Sequence, residues 1–261
     1  MKSILVVYNA PASSEEKKTM EVVKKALGSE QLHAEWTERH KLSAATAKGK
    51  ELAFSIGGDG TFLLTAHALP DRIPLLGINS DPKTKEGYFL GATSKTFPSI
   101  LKKMLKKEVG LSHLPTLEAQ VNGKKIPLVA LNEFFIGASK SYRTSRYAIK
   151  VRGKQEVHRS SGVIAATPLG VHAWVSSALG MNIRIPEDAF MYVVREPYER
   201  RVFSDYHLKR GVLRKGEKLV IVSKMDDGVI VADSLGEEYP LKFNDKVEVM
   251  LSNKTITTIQ P

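Results

Sequence analysis

The stretch Ser55-Ile56-Gly57-Gly58-Asp59-Gly60-Thr61-Phe62-Leu63 places three glycines and one carboxylate between two apolar runs. The preceding run, 51–56, predicts a strand, and the following run, 61–69, predicts a helix that Pro70 ends. A strand, a glycine loop and a helix start bring backbone N–H groups up to a phosphate, and glycine permits positive φ and close approach of a ligand. The loop therefore predicts a phosphate site in which Asp59 serves as a magnesium ligand or as a base beside a hydroxyl.

The same loop has a simpler interpretation, because a Gly-Gly-Asp-Gly run is also good turn chemistry. A simple turn needs only one or two glycines, however, and this loop joins a buried strand to a helix. Its spacing differs from the dinucleotide fingerprint, and no Gly-Lys-Ser/Thr follows it. A Rossmann dehydrogenase and a P-loop ATPase are therefore both poor fits.

The composition predicts an ordinary folded protein of one large or two small domains, since 261 residues carry 42% hydrophobic and 26% charged side chains. The chain has no cysteine, which excludes disulfides, thiolate nucleophiles and cysteine–metal sites. Its apolar runs are too short to span a bilayer, and the N-terminal run is too short for a signal peptide. We therefore expect a cytoplasmic protein with no membrane partner and no transit peptide.

The net charge of +11 favours anionic partners. The lysines occur mainly as pairs typical of solvated helix faces, and no zinc finger, RNA-recognition motif or basic arm is present. A nucleotide with several phosphates explains part of the charge equally well. We therefore expect no nucleic-acid partner.

Residues 1–108 alternate strands and helices, which predicts a doubly wound parallel sheet of the α/β class. Ile4 to Tyr8 is the expected first strand. Ser13 and Glu16 have capping-box spacing before a helix that Gly28 is expected to end. Further strands are expected at 33–37 and 73–78, a short helix at 42–48, and a helix at 97–105 with Pro98 in its first turn.

Residues 109–261 are expected to form a mostly β domain. The sequence leaves open whether the last residues pack back on the first domain. Asn122-Gly123 predicts a hairpin turn between strands at 117–121 and 126–131. Turn residues separate the other expected strands, which are 147–151, 163–166, 218–223, 229–232 and 246–251.

Four motifs in this order resemble the NAD kinase family, which belongs to a larger group that also holds diacylglycerol and sphingosine kinases. They are the glycine loop, Asn132-Glu133 at the end of a β-run, the segment from Ser161-Gly162 through Thr167-Pro168-Leu169-Gly170-Val171-His172-Ala173-Trp174, and Val231-Ala232-Asp233. Most of the chain takes part in the resemblance. The glycine loop alone would not separate an NAD kinase from a lipid kinase, whereas the later motifs do.

Several segments are most similar to the mitochondrial type of NAD kinase. They are Gly77-Ile78-Asn79-Ser80-Asp81-Pro82 with Glu86-Gly87, Asn132 to Gly137, Ser160 to Gly162, Ala173-Trp174, and Arg195-Glu196-Pro197 with Arg201-Val202-Phe203-Ser204. The chain also departs from the family. Ser161 stands where most members have an Asp that faces the nicotinamide, and Leu-Gly-Val-His-Ala-Trp replaces the usual Thr-Gly-Ser-Thr-Ala-Tyr.

The resemblance implies transfer of the γ-phosphoryl group of ATP, with Mg²⁺ or another divalent metal, to the 2′-hydroxyl of the adenosine ribose of NAD. It makes Asp59 the catalytic base or the magnesium-organising carboxylate, and it implies no other protein metal ligand. The residues that it assigns to nucleotide binding are Gly57, Gly58, Gly60, Thr61, Asn132, Glu133, Ser161, His172, Ala173, Trp174 and Asp233. Trp174 could stack on the adenine or belong to the core, and Arg195 and Arg201 could meet phosphates.

Two other functions remain open at the level of sequence. One is a lipid or other small-molecule kinase using the same loop, although no long amphipathic stretch for membrane docking is present. The other is a non-catalytic NAD(P)-binding protein, which the altered Thr-Pro segment suggests. The family resemblance also implies a homo-oligomer, a dimer or tetramer.

Overall fold

A computed structural model describes residues 3–70, 72–199 and 205–261. The chain forms two compact units: Met1–Leu114 with Thr255–Pro261, and Pro115–Lys254. The sequence suggests a boundary at 108/109, near the start of the continuous strand Gly110–Val121. The observed boundary lies six residues later, within that strand. The sequence does not reveal it, because a continuous strand shows no break in its residue pattern.

The first unit alternates strands and helices, as its sequence pattern predicts. Its strands are β1 (Ile4–Tyr8), β2 (Ala34–Glu38), β3 (Leu52–Gly57), β4 (Leu75–Asn79) and β5 (Leu90–Thr93). Its helices are α1 (Ser14–Ser29), α2 (Ala44–Ala47), α3 (Asp59–Ala68) and α4 (Phe97–Leu105). Strand β6 (Gly110–Val121) begins in this unit and β17 (Lys246–Gln260) ends in it.

The strands of the first unit pair in parallel in the order β2-β1-β3-β4, with β5 beside β4. The order reverses at β1, which has β2 on one side and β3 on the other. In open α/β sheets, ligands bind at the carboxyl ends of the strands near such a reversal. The carboxyl end of β3 is Gly57, so the glycine loop lies at this position.

Helix α1 begins as its sequence predicts but ends later. Ser13 Oγ accepts the N–H of Glu16 at 3.2 Å, and Glu16 Oε2 accepts the N–H of Ser13 at 3.3 Å, which completes the capping box. The prediction that Gly28 ends the helix is wrong. The helix continues through Ser29, and Gln31 takes the positive φ of 52° that follows the C-cap. A side chain at Gly28 would meet nothing within 4 Å, so no packing contact ends the helix there.

The second unit is built almost entirely of strands. After the second half of β6 come β7 (Lys124–Ala130), β8 (Glu133–Ala138), β9 (Ser145–Val151), β10 (Lys154–Ser160), β11 (Val163–Ala166), β12 (Ala189–Val194), β13 (Arg210–Arg214), β14 (Leu219–Ser223), β15 (Gly228–Ala232), β16 (Glu238–Leu241) and the first part of β17. One short helix, α5 (Trp174–Leu179), follows a 3-10 turn at Gly170–His172. The Asn122-Gly123 hairpin is confirmed, with φ of 52° and 77°.

A six-stranded antiparallel sheet in the order β13-β12-β11-β8-β15-β16 forms the centre of the second unit. One of its faces joins a core with β6, β7, β9, β14 and β17, and Phe134, Ile136 and Phe190 are fully buried there. Its other face, at Ile164 and Met191, packs against Val171 and Val175 of the 170–179 segment. This packing holds the Thr167-to-Trp174 segment against the sheet.

The predicted fold class, an α/β domain with parallel strands followed by a mostly β domain, is confirmed. Sequence reasoning missed six strands that its pattern does not delimit, namely β5, β8, β10, β12, β13 and β16. None of the described helices combines the length and apolar character needed to cross a membrane.

Candidate active site

The glycine loop joins β3 directly to α3, because Gly57 ends the strand and Gly58 is the N-cap of the helix. A Cβ at Gly57 would lie 2.4 Å from Thr61 Oγ1, so this position requires glycine for close packing. The expected use of positive φ is wrong, because none of the three loop glycines has it. Gly57 therefore allows the strand end and the first helical turn to pack closely together.

The first turn of α3 has one packed side and one open side. Thr61 is 2% exposed and packs beneath Gly57. Gly60 is exposed, and a Cβ there would meet nothing within 4 Å. The first N–H groups of a helix have no partner within it, and together with the helix dipole they favour a phosphate at the open side.

The carboxylate of Asp59 is held in a fixed orientation. Its Oδ1 accepts the backbone N–H of Phe89 at 2.9 Å, and its Oδ2 accepts that of Tyr88 at 3.1 Å. The side chain remains partly accessible. The two amides therefore orient the carboxylate at the helix start.

In the second unit, three neighbouring inner strands place candidate residues at their ends, on one side of the six-stranded sheet. Strand β8 begins with Glu133, while β11 ends before Thr167 and β15 ends before Asp233. Because β8 runs antiparallel to both neighbours, its start lies beside their ends. The structure therefore brings Asn132, Glu133, Thr167 and Asp233 together.

Asp233 is buried, and its carboxylate accepts hydrogen bonds from backbone N–H groups. Its Oδ1 accepts the N–H groups of Asn132 at 2.7 Å and Glu133 at 3.0 Å, and its Oδ2 accepts that of Leu131 at 2.8 Å. Asp233 itself has a φ of 51°. These contacts indicate that Asp233 holds the Asn132-Glu133 backbone in place, whereas its expected contact with nucleotide stays a prediction.

Thr167 and Gly170 hold the same backbone from the other side. Thr167 Oγ1 donates to Leu131 O at 2.6 Å and accepts the N–H of Gly170 at 3.0 Å. A Cβ at Gly170 would lie 1.9 Å from Asn132 O, which explains why only glycine fits. The sequence analysis quoted both residues but gave them no role. Thr167 could have been recognised from its sequence, because a threonine hydroxyl can form a hydrogen bond with the backbone three residues later.

Glu133 is 4% exposed, and its chemistry depends on that burial. Burial first, and the Asp233 carboxylate second, raise the pKa of Glu133 to about 8. Glu133 accepts the backbone N–H of Trp174, whereas its Oε2 is buried without a hydrogen-bond partner in the described part of the chain. A protonated Glu133 can donate a hydrogen bond, which an ionised one cannot.

The Trp174 ring already contacts two other side chains. Its ring stacks on Phe135 with centroids 5.5 Å apart, and the Arg195 guanidinium lies 4.7 Å from its centroid. Adenine stacking on Trp174 would have to share the ring with them, and it stays a prediction. Arg195 is also paired with Glu196 at 3.3 Å. Arg201, the second expected phosphate contact, lies outside the described residues.

Ser161 lies at the other end of β11 from the cluster formed by Asn132, Glu133, Thr167 and Asp233. It precedes β11, whereas Thr167 follows the same strand, so the two lie at opposite ends of four strand residues. Its N–H donates to Arg195 O at 2.9 Å. His172 ends the 3-10 turn and Ala173 is the N-cap of α5, so both are positioned by the segment that carries Trp174.

A protein-built metal centre is not evident in these two sets of residues. Among the described residues, no three His, Asp or Glu side chains group closely enough to hold a metal ion. Mg²⁺ in kinases is bound through one or two carboxylates together with substrate phosphates. The single Asp59 beside a phosphate site fits that arrangement.

The chain is similar to several known proteins. Residues 3–109 match the family model described as the ATP-NAD kinase N-terminal domain. A "Probable NADH kinase" of Oryza sativa subsp. japonica is 28% identical over 232 residues, which cover 81% of this chain and 71% of that protein. Human "NAD kinase 2, mitochondrial" is 25% identical over 91% of this chain and 71% of its own length.

Over most of its length the chain is similar to NAD kinases and to an NADH kinase.

Solved structures of the NAD kinase family share the fold. An NAD kinase from Archaeoglobus fulgidus in complex with ATP superposes with a TM-score of 0.77 at 21% identity, covering 98% of this chain and 92% of that one. Yeast NADH kinase complexed with NADH gives a TM-score of 0.78 at 16% identity, covering 100% and 84%. The similarity therefore extends over both units, which the family model alone does not span.

Proposed function

We propose that this protein is an NAD kinase, which transfers the γ-phosphoryl group of ATP to the 2′-hydroxyl of the adenosine ribose of NAD and so produces NADP. The observation that carries the proposal is the oriented Asp59 carboxylate at the start of α3, beside the open helix N-terminus. Phosphoryl transfer requires positioning, charge neutralisation and a group that accepts the hydroxyl proton. This loop offers a means for each of the three.

Each group of residues would have a distinct role. The open first turn of α3 would bind phosphate, and Asp59 would accept the proton of the 2′-hydroxyl. Asn132 and Glu133, held by Asp233 and Thr167, would bind the dinucleotide through its hydroxyls. A divalent metal would neutralise phosphate charge, and Asp59 is the residue that would hold it or orient its water.

One assay tests this proposal against its alternatives. Purified protein is incubated with ATP, Mg²⁺ and NAD, and NADP formation is followed with a coupled NADP-specific dehydrogenase. We expect NADP to accumulate with both substrates and not without either one. Phosphorylation of a lipid without NADP formation would favour the lipid kinase, and tight NAD binding without turnover would favour a non-catalytic protein.

The reduced dinucleotide is a second candidate acceptor. A relative is described as a probable NADH kinase, and a solved structure of the same fold contains NADH. Ser161 also lacks the negative charge that most family members carry at its position. Measuring kcat/KM for NAD and NADH in parallel determines which acceptor the protein uses.

Cytoplasmic location and homo-oligomeric assembly also belong to the proposal. A chain without cysteine fits a reducing compartment, although one relative is a mitochondrial enzyme. Family resemblance supports a dimer or tetramer. Light scattering at working concentration tests the assembly, and a monomer would contradict it.

A further inference from the structure

The segment between β4 and β5, residues 80–89, covers the glycine loop, and we call it the strap. Its first residue donates from Ser80 N to Gly57 O at 3.0 Å. Its last two residues donate their N–H groups to Asp59. The ring of Phe89 stacks on that of Phe62 in α3, with centroids 5.2 Å apart and planes 3° from parallel. The strap therefore contacts the end of β3 and the start of α3.

Lys85 is the central attachment of the strap. Its side-chain Cδ would lie 3.2 Å from a Cβ at Gly58, so its stem passes directly over the loop. Its ammonium group forms an ion pair with Glu16 Oε1 in the first turn of α1. Its carbonyl oxygen accepts the Nδ2 of Asn79 at 3.1 Å. Lys85 thus links the strap to a helix and to a strand.

Glu16 is a rigid partner for this lysine. It is 7% exposed, and its Oε2 accepts the N–H groups of Ala12 at 2.6 Å and Ser13 at 3.3 Å. The hydrogen bond from Lys85 is the largest cause that lowers the pKa of Glu16 below its usual value. An ionised carboxylate fixed by the capping box gives Lys85 an anchor that does not move with the strap.

We propose that Lys85 is a positioning residue, whose ion pair with Glu16 fixes the strap so that the backbone amides of Tyr88 and Phe89 orient the Asp59 carboxylate. This inference rests on the proposed function for its catalytic consequence, but not for its structural content. Displacement of a reacting group by about 1 Å can cost on the order of a hundredfold in rate. Loss of the pair would therefore reduce kcat although Lys85 contacts no substrate.

The test uses three variants and one matched control. Lys85→Met removes the charge and keeps the stem, Lys85→Arg keeps the charge, and Glu16→Gln retains a capping-box side chain. Lys83→Met is the control, because Lys83 is exposed on the same strap and no described residue forms an ion pair with it. Circular dichroism and thermal unfolding first establish that each variant is folded.

We expect Lys85→Met and Glu16→Gln each to lower kcat by about 10-fold to 100-fold, with less than about a threefold change in KM for ATP. Lys85→Arg should restore most of kcat, and Lys83→Met should equal wild type. The Lys85→Met/Glu16→Gln double variant should be no slower than either single variant, because both remove one interaction. A raised KM for ATP at unchanged kcat would contradict the proposal and make Lys85 a phosphate contact.

A second measurement does not depend on turnover. Hydrogen exchange of peptides that cover residues 86–90, followed by mass spectrometry, reports on the Tyr88 and Phe89 amides. Exchange should accelerate in Asp59→Asn, Lys85→Met and Glu16→Gln, and not in Lys83→Met. If wild-type protein made no NADP but showed this exchange pattern, the proposed function would be wrong and the positioning role of Lys85 would still hold. Unchanged exchange in Lys85→Met would contradict that positioning role.

Discussion

At the scale of single residues, two candidate carboxyl groups lie in different environments. Asp59 is partly accessible, and both of its oxygens accept backbone N–H groups. Glu133 is buried, and one of its oxygens has no partner among the described residues. Burial favours the neutral form of Glu133, which can donate a hydrogen bond.

Asp59→Asn should leave a folded protein whose kcat is reduced by at least about a hundredfold, since a positioned base contributes about 10²–10⁴ in rate. The amide is a poor base, and its single oxygen can accept only one of the two strap amides. The coupled NADP assay measures the loss. Glu86→Gln, an exposed carboxyl change on the strap, is the control and should retain full activity. Near wild-type turnover by Asp59→Asn would exclude the base.

Glu133→Gln should change how stability depends on pH. The folded protein holds the Glu133 proton with a pKa raised from 4.5 to about 8, so the unfolded chain releases it first. Raising the pH from 4.5 to about 8 therefore lowers the free energy of unfolding of wild type. The loss is at most about 1.4 kcal/mol for each unit by which the folded and unfolded pKa values differ. Gln has no proton to release and should escape this loss.

Thermal unfolding midpoints between pH 5 and pH 9 measure the effect. The difference between Glu133→Gln and wild type should move in favour of the variant as pH rises and level off above about pH 8. The exposed Glu237→Gln is the control and should follow wild type. Parallel curves for Glu133→Gln and wild type would contradict a raised pKa.

At the scale of elements, hydrophobic periodicity and turn chemistry predicted most of the fold. The strand β1, the capping box of α1, the Asn122-Gly123 hairpin and the strand–loop–helix around Gly57 follow from local sequence. Short antiparallel strands such as β13 and β16 were missed, because their exposed faces carry no clear alternation. Pairing with neighbours decides such strands, and pairing is not local information.

The candidate site divides in the same way. Motif resemblance predicted its residues, but it did not predict that Asp233 holds backbone or that the strap reaches Asp59. Those contacts join residues about 30 and 100 positions apart along the chain. Sequence spacing cannot show which backbone amide a carboxylate accepts across such distances.

Gly28→Ala tests the corrected end of helix α1. Gly28 lies within the helix, its φ is not positive, and a Cβ there meets nothing within 4 Å. Replacing an interior helical glycine by alanine stabilises by about 0.5–1 kcal/mol. Urea unfolding should show this gain. Gly49→Ala is the contrasting control and should destabilise, because Gly49 has a φ of 75°. A loss of stability in Gly28→Ala would indicate that the helix ends at Gly28.

At the scale of the whole molecule, the chain returns to its first unit at the end. Residues 255–261 belong to that unit, where Thr258 Oγ1 donates to Leu75 O at 3.0 Å. Ile259 is 4% exposed and joins the core formed by β1, β3 and β4. The first unit therefore includes residues that follow the whole second unit along the chain.

Ile259→Ala should destabilise the protein by about 2–5 kcal/mol, the usual cost of truncating a buried aliphatic side chain to alanine. Chemical denaturation measures the difference, and the exposed neighbour Gln260→Ala should have little effect. Equal stability of the two variants would show that the last residues do not contribute to the first core.

The proposed reaction moves a phosphoryl group from ATP to a defined hydroxyl of a dinucleotide. The most direct measurement uses ATP labelled in its γ-phosphoryl group, with NAD and Mg²⁺, and locates the label in the isolated product by chromatography and phosphorus NMR. We expect one labelled phosphate on the 2′-oxygen of the adenosine ribose for each ADP formed. Label found only in ATP or inorganic phosphate, from folded protein that binds both nucleotides, would contradict it.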